Sequence, residues 1–325
     1  MKSLKILGVK KSASCIAIGT AWFEPARKDA AFAVLDAYLQ AGGNFIDTAR
    51  IYGDYTSEDI LAEWIRTRSI DRDRLIIQTK GCHHEKTSDA EYPDHKRVSP
   101  HHIQKDLLES LKHLGLSYVD LFLLHRDDQS MPVGLLMDAL EEQRKSGRMH
   151  AYGVSNWTYQ RVKEANDYCA SKGYQGISVN SPAFSLAEAR SPAFPTTVYL
   201  TRSQLLQYKT LPTITTVCWS SQAQGFFTRT PEQIKQLTPE TQKAYVSPSN
   251  QERRRRATEL AEKEHTENVT ATSIALAWVL AQPVPVCAII GPSSVEHLKE
   301  SLAALHLHLT PAQIDWLNLE RAKMD

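Results

Sequence analysis

Four side chains of complementary chemistry stand at, or just beyond, the ends of short apolar runs. Asp47 follows Asn44-Phe45-Ile46, with Tyr52 a few residues later; Lys80 follows Ile76-Ile77-Gln78-Thr79, and His125 follows Leu121-Phe122-Leu123-Leu124. Each has an ordinary reading when taken alone. An aspartate caps a turn, a tyrosine packs, a lysine reaches past apolar neighbours to water, and a histidine beside Arg126, Asp127 and Asp128 belongs to the surface. Together they suit one reaction. Hydride reduction of a carbonyl leaves negative charge on oxygen, which needs a proton donor and stabilising hydrogen bonds. A phenol, with an ordinary pKa of about 10, is a sluggish donor and acceptor near neutrality unless a neighbouring ammonium lowers that value. In this reading Lys80 tunes Tyr52, Asp47 holds Lys80, and His125 donates a second hydrogen bond to the substrate oxygen. A nicotinamide dinucleotide would carry the hydride.

Such a set must be positioned by elements that converge on one place. Short apolar, largely β-branched runs recur at 14–20, 44–48, 75–79, 118–124, 150–154, 176–179, 214–218 and 286–290, as strands buried on both faces should. Between them lie amphipathic stretches, predicted as helices over 30–41, 59–67, 100–114, 133–146, 159–172, 192–206, 271–282 and 295–305, with a last one from Thr310-Pro311 through Arg321. Ser99 and Pro100 make a good helix start, and Gly147 and Gly173 good stops. Eight alternations without a break in composition predict an α/β fold of (β/α)8 TIM-barrel type, one domain over residues 1–325. A doubly wound open sheet would need an early GxGxxG turn, and none is present. In a parallel barrel the strand C-termini line one pocket. The longer insertions 81–98 and 225–251 follow strands and therefore belong to that face.

Composition narrows the partners. The chain has 325 residues, 42% hydrophobic and 23% charged, with a formal net charge of +1. Such a balance offers no pull toward nucleic acid or an anionic membrane, and a small-molecule carbonyl or alcohol is the expected partner. No apolar run reaches the roughly 18–20 residues of a membrane span. Lys2, Lys5, Lys10 and Lys11 before the apolar stretch 15–23 imitate a signal peptide, but the stretch is short and the eightfold pattern claims it as the first strand. Five scattered cysteines without a CxxC pair point to a reducing compartment, and the expected location is cytoplasmic. The run 253–256 of four arginines reads as the start of a solvated helix face.

Three ordered segments carry a resemblance. Gly43-Asn44-Phe45-Ile46-Asp47-Thr48-Ala49 with Tyr52-Gly53 and Ser57-Glu58, then Asp120 through His125-Arg126, then Gly153-Val154-Ser155-Asn156, resemble the motifs of the aldo-keto reductase family from Gly19 to the last helix. The resemblance implies Asp47, Tyr52, Lys80 and His125 as a catalytic tetrad with Tyr52 as general acid, reducing an aldehyde, ketone or sugar-like carbonyl. It implies that Ser155 and Asn156 hold the nicotinamide carboxamide, with Asn180 where the family commonly has Gln, and that Trp219 stacks on the ring. Asp47, Thr20 and Ala21 would border the cofactor, Ser220, Ser221, Gln222 and Gly225 the pyrophosphate, and Gly291, Ser293, Ser294, His297 and Ser301 the adenosine end. Relatives that prefer NADP often carry Arg or Lys at the position of Ser293. NADP is expected, with NAD use more open because that cation is missing. Trp22 and Trp157 follow strand ends and, with Tyr52 and His125, are expected at the substrate; His84, Asp94 and His95 on the first insertion extend toward a polar one.

A second reading is a dinucleotide-holding regulatory or sensing module with little catalysis, which turnover on a carbonyl and sugar panel separates from the first. A third is a metal-dependent barrel. The adjacent pairs His83-His84 and His101-His102 diverge in extended chain, and His306-Leu307-His308 has no acidic or cysteine partner nearby, so no metal site is expected. Elemental analysis of the purified protein is expected to find no stoichiometric zinc or manganese; finding either would overturn the hydride reading.

Overall fold

The computed structural model describes residues 1–84, 97–264 and 267–324. A two-residue hairpin comes first, β1 (Ser3–Leu4) pairing antiparallel with β2 (Ala13–Ser14). Eight strands follow: β3 (Ile16–Gly19), β4 (Phe45–Asp47), β5 (Ile76–Gly81), β6 (Val119–Leu124), β7 (Met149–Ser155), β8 (Val179–Ser181), β9 (Thr215–Cys218) and β10 (Val286–Ile290). They close into a barrel in chain order, with β10 parallel both to β9 and to β3. The predicted first strand 14–20 thus divides, since Ser14 belongs to the hairpin and the barrel strand begins at Ile16.

The pleat sends alternate side chains to opposite sides. Inside the barrel pack Ala17, Phe45, Ile76, Leu121, Leu123, Ala151, Val179, Val217, Cys287 and Ile289, and Ile6, Val9 and Ala13 of the hairpin join the same cluster. The hairpin therefore acts as a plug at one end. The outward set, including Ile18, Ile46, Ile77, Phe122, Val154 and Ile290, packs under the helices. Interior space is scarce: a Cβ on Gly153 would stand 2.4 Å from the Val179 carbonyl oxygen.

Helices occupy most of the predicted windows. Pro100–Leu114 starts behind the Ser99 cap, and Tyr159–Lys172 ends at left-handed Gly173. The window 192–206 differs. Only Arg202–Leu205 is α-helical, opened by a Thr201–Gln204 capping box. Pro195 explains the loss, because it lacks an N–H and its ring clashes with a preceding helical turn. The insertion 225–251 holds helices Pro231–Ile234 and Pro239–Tyr245 and the start of Pro248–Lys263. Arg253 in that last helix is buried against Glu188 and Asn250, so the arginine run is not wholly solvated.

A buried charge cluster sits at the plugged end. Asp120, near the start of β6, is fully buried and lies 2.6 Å from Arg72 Nη2 and 2.8 Å from Lys11 Nζ. It also accepts the Ile77 N–H at 2.9 Å, which ties β5 to β6. One carboxylate thus joins the hairpin, β5 and β6. Removing one partner of a buried ion pair strands the others. Asp120→Asn is expected to lower stability by about 2–4 kcal/mol. Urea unfolding checks this, and an unmoved midpoint would show the cluster to be dispensable.

Candidate active site

The opposite end of the barrel gathers the predicted chemistry. Asp47 ends β4, and its Cα partner on β5 is Gln78. Residues two apart share a face, so Gln78 and Lys80 both reach toward it. Asp47 Oδ1 accepts from Gln78 Nε2 at 2.6 Å and from Lys80 Nζ at 2.5 Å. Lys80 Nζ also donates to the Thr48 carbonyl and to the Tyr52 hydroxyl, both at 3.1 Å. All three donors of the ammonium are used.

Tyr52 reaches this position on a sharply folded loop. Gly53, Asp54 and Tyr55 are all left-handed, with φ of 55°, 53° and 69°. Gly53 is pressed against β3's exit: a Cβ there would stand 2.0 Å from the Phe23 carbonyl oxygen. His125 is the first residue past β6, and its N–H donates to the Gly81 carbonyl at 2.8 Å. Its ring meets Tyr52 edge to face at 5.5 Å and His83 at 4.7 Å. The four residues form one contiguous cluster.

Burial and charge oppose each other here. Burial pushes the Tyr52 phenol above its ordinary value; the Lys80 ammonium pulls it down without overcoming that push, and Asp47 adds to it. The simple expectation of a phenol lowered by lysine is therefore corrected: the net direction is upward. For Lys80, burial pulls down, but Asp47 and then Tyr52 outweigh it and hold the ammonium above its usual range. Burial, then Arg126, His83 and Lys80, drive His125 well below the usual histidine value. Its imidazole is neutral at pH 7, and its Nδ1 is buried without a hydrogen-bond partner among the described residues.

Around the rest of the mouth the predicted cofactor residues are unevenly placed. Ser155 ends β7 and donates to the Ser181 carbonyl at 2.8 Å, while accepting from Asn156 at 3.0 Å. Asn156 is left-handed and bridges the His125 carbonyl to the Val198 N–H. Asn180 does not face the mouth. Its neighbour Val179 is the inward residue, and Asn180 Nδ2 turns outward to Tyr208 and the Trp157 carbonyl. Ser181 takes the inward phase instead, one residue away from the predicted position. Trp157 is fully buried and donates to the Arg126 carbonyl, so it packs beneath the loop rather than meeting a substrate. Thr20 is also spent, its hydroxyl donating to Thr48 at 2.8 Å, while Ala21 is exposed. Trp22 lies against Gly291 with Arg27 over its ring. Among the described residues no group of three or more His, Cys, Asp or Glu side chains is placed to hold a metal ion. Asp94 and His95 lie outside the described residues.

Trp219 follows β9, packed between Tyr199 at 5.2 Å and Phe194 at 6.1 Å, and its buried indole N–H has no partner among the described residues. Beyond it the chain is repeatedly left-handed, at Ser220, Ala223, Gln224 and Gly225. Within these turns the Ala223 and Gly225 N–H groups donate to the Ser220 and Gln222 carbonyls, at 2.8 and 3.0 Å. Arg229 flanks them, anchored by its Nε on the Gln224 carbonyl; sequence reading missed this cation because it lies inside a long insertion. Ser221 is buried and bonded to the Ile289 carbonyl. Gln222 reaches Ser301 at 2.9 Å, Ser301 bonds the His297 carbonyl, and Ser293 meets His297 Nδ1 at 3.0 Å. Ser294 caps the helix Val295–Ala303 that opens there.

The family model described as the Aldo/keto reductase family matches residues 15–318. The chain belongs to that family. An aldo-keto reductase of Aspergillus calidoustus is 31% identical, over 93% of this chain and 76% of its own length. An aryl-alcohol dehydrogenase [NADP(+)] of Phanerodontia chrysosporium is 27% identical, over 90% and 76%. A crystal structure of a thermostable aldo-keto reductase is 24% identical and shares the fold, with a TM-score of 0.72 over 98% of this chain and 99% of its own. As in other aldo-keto reductases, nicotinamide-dependent carbonyl reduction is the general chemistry.

The site depends on how closely the Tyr52 loop can approach Phe23. Gly53→Ala is expected to displace Tyr52 and lower carbonyl turnover by about 10²-fold or more, since a 1 Å error in placement suffices for that. A steady-state assay alongside a circular dichroism spectrum checks it; unchanged kcat would show that the loop tolerates the methyl group.

Proposed function

We propose that this protein reversibly reduces an aldehyde or ketone to the alcohol, with Tyr52 as the proton donor and an NADP-type dinucleotide as cofactor. The observation that carries the reading is Lys80 Nζ, held 2.5 Å from Asp47 and 3.1 Å from the Tyr52 hydroxyl. Bound dinucleotide supplies the hydride. The chain supplies the rest. As the carbonyl oxygen gains an electron pair, the Tyr52 hydroxyl gives it a proton, and the tyrosinate left behind is stabilised by the adjacent ammonium. Asp47 fixes that ammonium, and neutral His125 offers an N–H to the same oxygen.

The donor set suits a dinucleotide. Trp219 offers a ring face, the tight turns from Ser220 to Gly225 with Arg229 a pyrophosphate site, and Ser293, Ser294, His297 and Ser301 an adenosine end at a helix N-terminus. Ser155 and Asn156, already engaged with protein groups, would exchange partners to reach a carboxamide, and Ser181 replaces Asn180 as the inward residue. Ser293 gives a phosphate hydroxyl and dipole contacts without a fixed cation, a difference of about 1.5–3 kcal/mol against an arginine. NADP is the first choice, supported by the name of the Phanerodontia chrysosporium relative, with modest discrimination against NAD. Five buried, unpaired cysteines support a reducing, cytoplasmic setting.

Tyr52→Phe is expected to lower turnover by about 10²–10⁴-fold while leaving NADPH affinity, followed by tryptophan fluorescence, nearly unchanged. Retained turnover rejects the role of Tyr52, and failure to bind either NADPH or NADH rejects the function. The pH dependence has a definite sign. Reduction consumes the protonated phenol, and a pKa above the ordinary value of about 10 keeps it available through neutrality. The rate of reduction should therefore hold flat until strongly alkaline pH, and oxidation of the alcohol should rise with pH. A loss of reduction centred near pH 7 would contradict this.

A further inference from the structure

Arg126 follows His125 directly, yet the mechanism above gives it no work. Its side chain is largely withdrawn from water. Nη1 donates to the His125 carbonyl at 2.9 Å, while Nε is buried with no hydrogen-bond partner among the described residues. No carboxylate among the described residues pairs with it. The two acids next in sequence are engaged elsewhere: Asp127 with Arg161 Nε at 3.4 Å, and Asp128 with the Ser130 N–H at 3.0 Å and hydroxyl at 2.6 Å. A guanidinium taken from water without a counter-charge is costly. Burial pulls its proton affinity down, and the phenols of Tyr52 and Tyr199 are the groups whose fields oppose that pull. Its electrostatic surroundings are therefore the reactive phenol and the aromatic wall that carries Trp219.

Bracing the His125 carbonyl takes one of the five N–H donors of a guanidinium, and it leaves the charge unanswered. An anion arriving with the ligand would answer it. The planar fork of Nε and one Nη matches a single carboxylate with two parallel bonds, whereas a dianionic phosphate would call for further donors. We propose that Arg126 is a specificity residue that receives a carboxylate borne by the carbonyl substrate, so that the site acts on oxo acids and their hydroxy-acid products. This rests on the reading of Tyr52 as proton donor, and it places the carboxylate near the reacting carbonyl, because the Arg126 guanidinium braces the His125 carbonyl and its charge acts on both His125 and Tyr52.

The test uses the full-length protein with NADPH and two matched aldehyde pairs, succinic semialdehyde against butanal and 4-carboxybenzaldehyde against 4-nitrobenzaldehyde. The carboxylated member of at least one pair is expected to have the higher kcat/KM. Arg126→Met should shrink that preference by about 10- to 100-fold through KM, and Arg126→Lys should restore part of it. A purely structural role would lower both members together and keep their ratio, which overturns the proposal. Calorimetric titration with benzoate in the presence of NADP+ gives a second measure without turnover. Its dissociation constant should rise at least tenfold in Arg126→Met, and indifference to the substitution overturns the proposal. The two readings fail separately. Wild-type turnover of neither aldehyde in either pair rejects the oxidoreductase function, whereas equal turnover of both with benzoate affinity unmoved rejects only the carboxylate site.

Discussion

A buried ammonium standing between a carboxylate and a phenol is the constraint on which the rest of this molecule depends. Taking Lys80 from water is unfavourable unless each of its three protons finds an acceptor. Asp47, the Thr48 carbonyl and Tyr52 provide them. That demand fixes the register of two strands. Asp47 must end β4 opposite Gln78, so that Lys80, one pleat further on the same face, passes the carboxylate and meets the loop beyond it. A slip of one residue in either strand would turn Asp47 or Lys80 outward among the helices. The barrel's closure, its packed interior and the hairpin plug all serve to keep that register.

The electrostatics of the cluster favour a proton held rather than released. Burial raises the phenol more than the ammonium lowers it, and the same burial strips His125 of charge. Both residues are thus hydrogen-bond donors at neutrality, which is what an oxygen gaining an electron pair requires. Under the proposed reaction, the lysine's contribution would lie less in making the phenol acidic at rest than in stabilising the tyrosinate once the proton has left. Asp47 limits that effect, since its charge raises the phenol in turn. The pair is a compromise between holding the lysine and using it.

How much of this could be read from the chain depended on phase. Asp47, Lys80 and His125 were legible because each closes an apolar run long enough to show where the strand stops. The helices 100–114 and 159–172 were legible because Ser99-Pro100 and Gly173 mark their ends. Asn180 was misplaced by one residue: β8 is only three residues long, and its apolar surroundings do not reveal which side chain faces in. Trp157 lies just past a strand end, as a pocket residue would, but its burial is set by Arg126 and Arg161, which only the folded loop brings together. The short helices after β9 were hidden by their polarity, and Pro195 was passed over in a window whose composition otherwise suited a helix.

The two ends of the barrel divide their tasks, and backbone conformation leans the same way, although Ser69, Asn268 and Leu319 are left-handed away from the mouth. Asp54, Tyr55, Cys82, Asn156, Ser220, Ala223 and Gln224 are left-handed without being glycine. Each stands in a loop leaving the C-terminal end of a barrel strand. A left-handed conformation at such residues is unfavourable and persists only when the surroundings over-determine it. Here the surroundings are the strands themselves, pinned at the far end by Asp120 and its cations. Stability at one face thus sustains strain at the other, and that strain aims Tyr52 at Lys80 and turns the chain sharply after Trp219. The same logic covers Arg126. A guanidinium without a counter-ion among the described residues is a further unfavourable feature at the functional face, offset by the ion pairs of Asp120 at the opposite one.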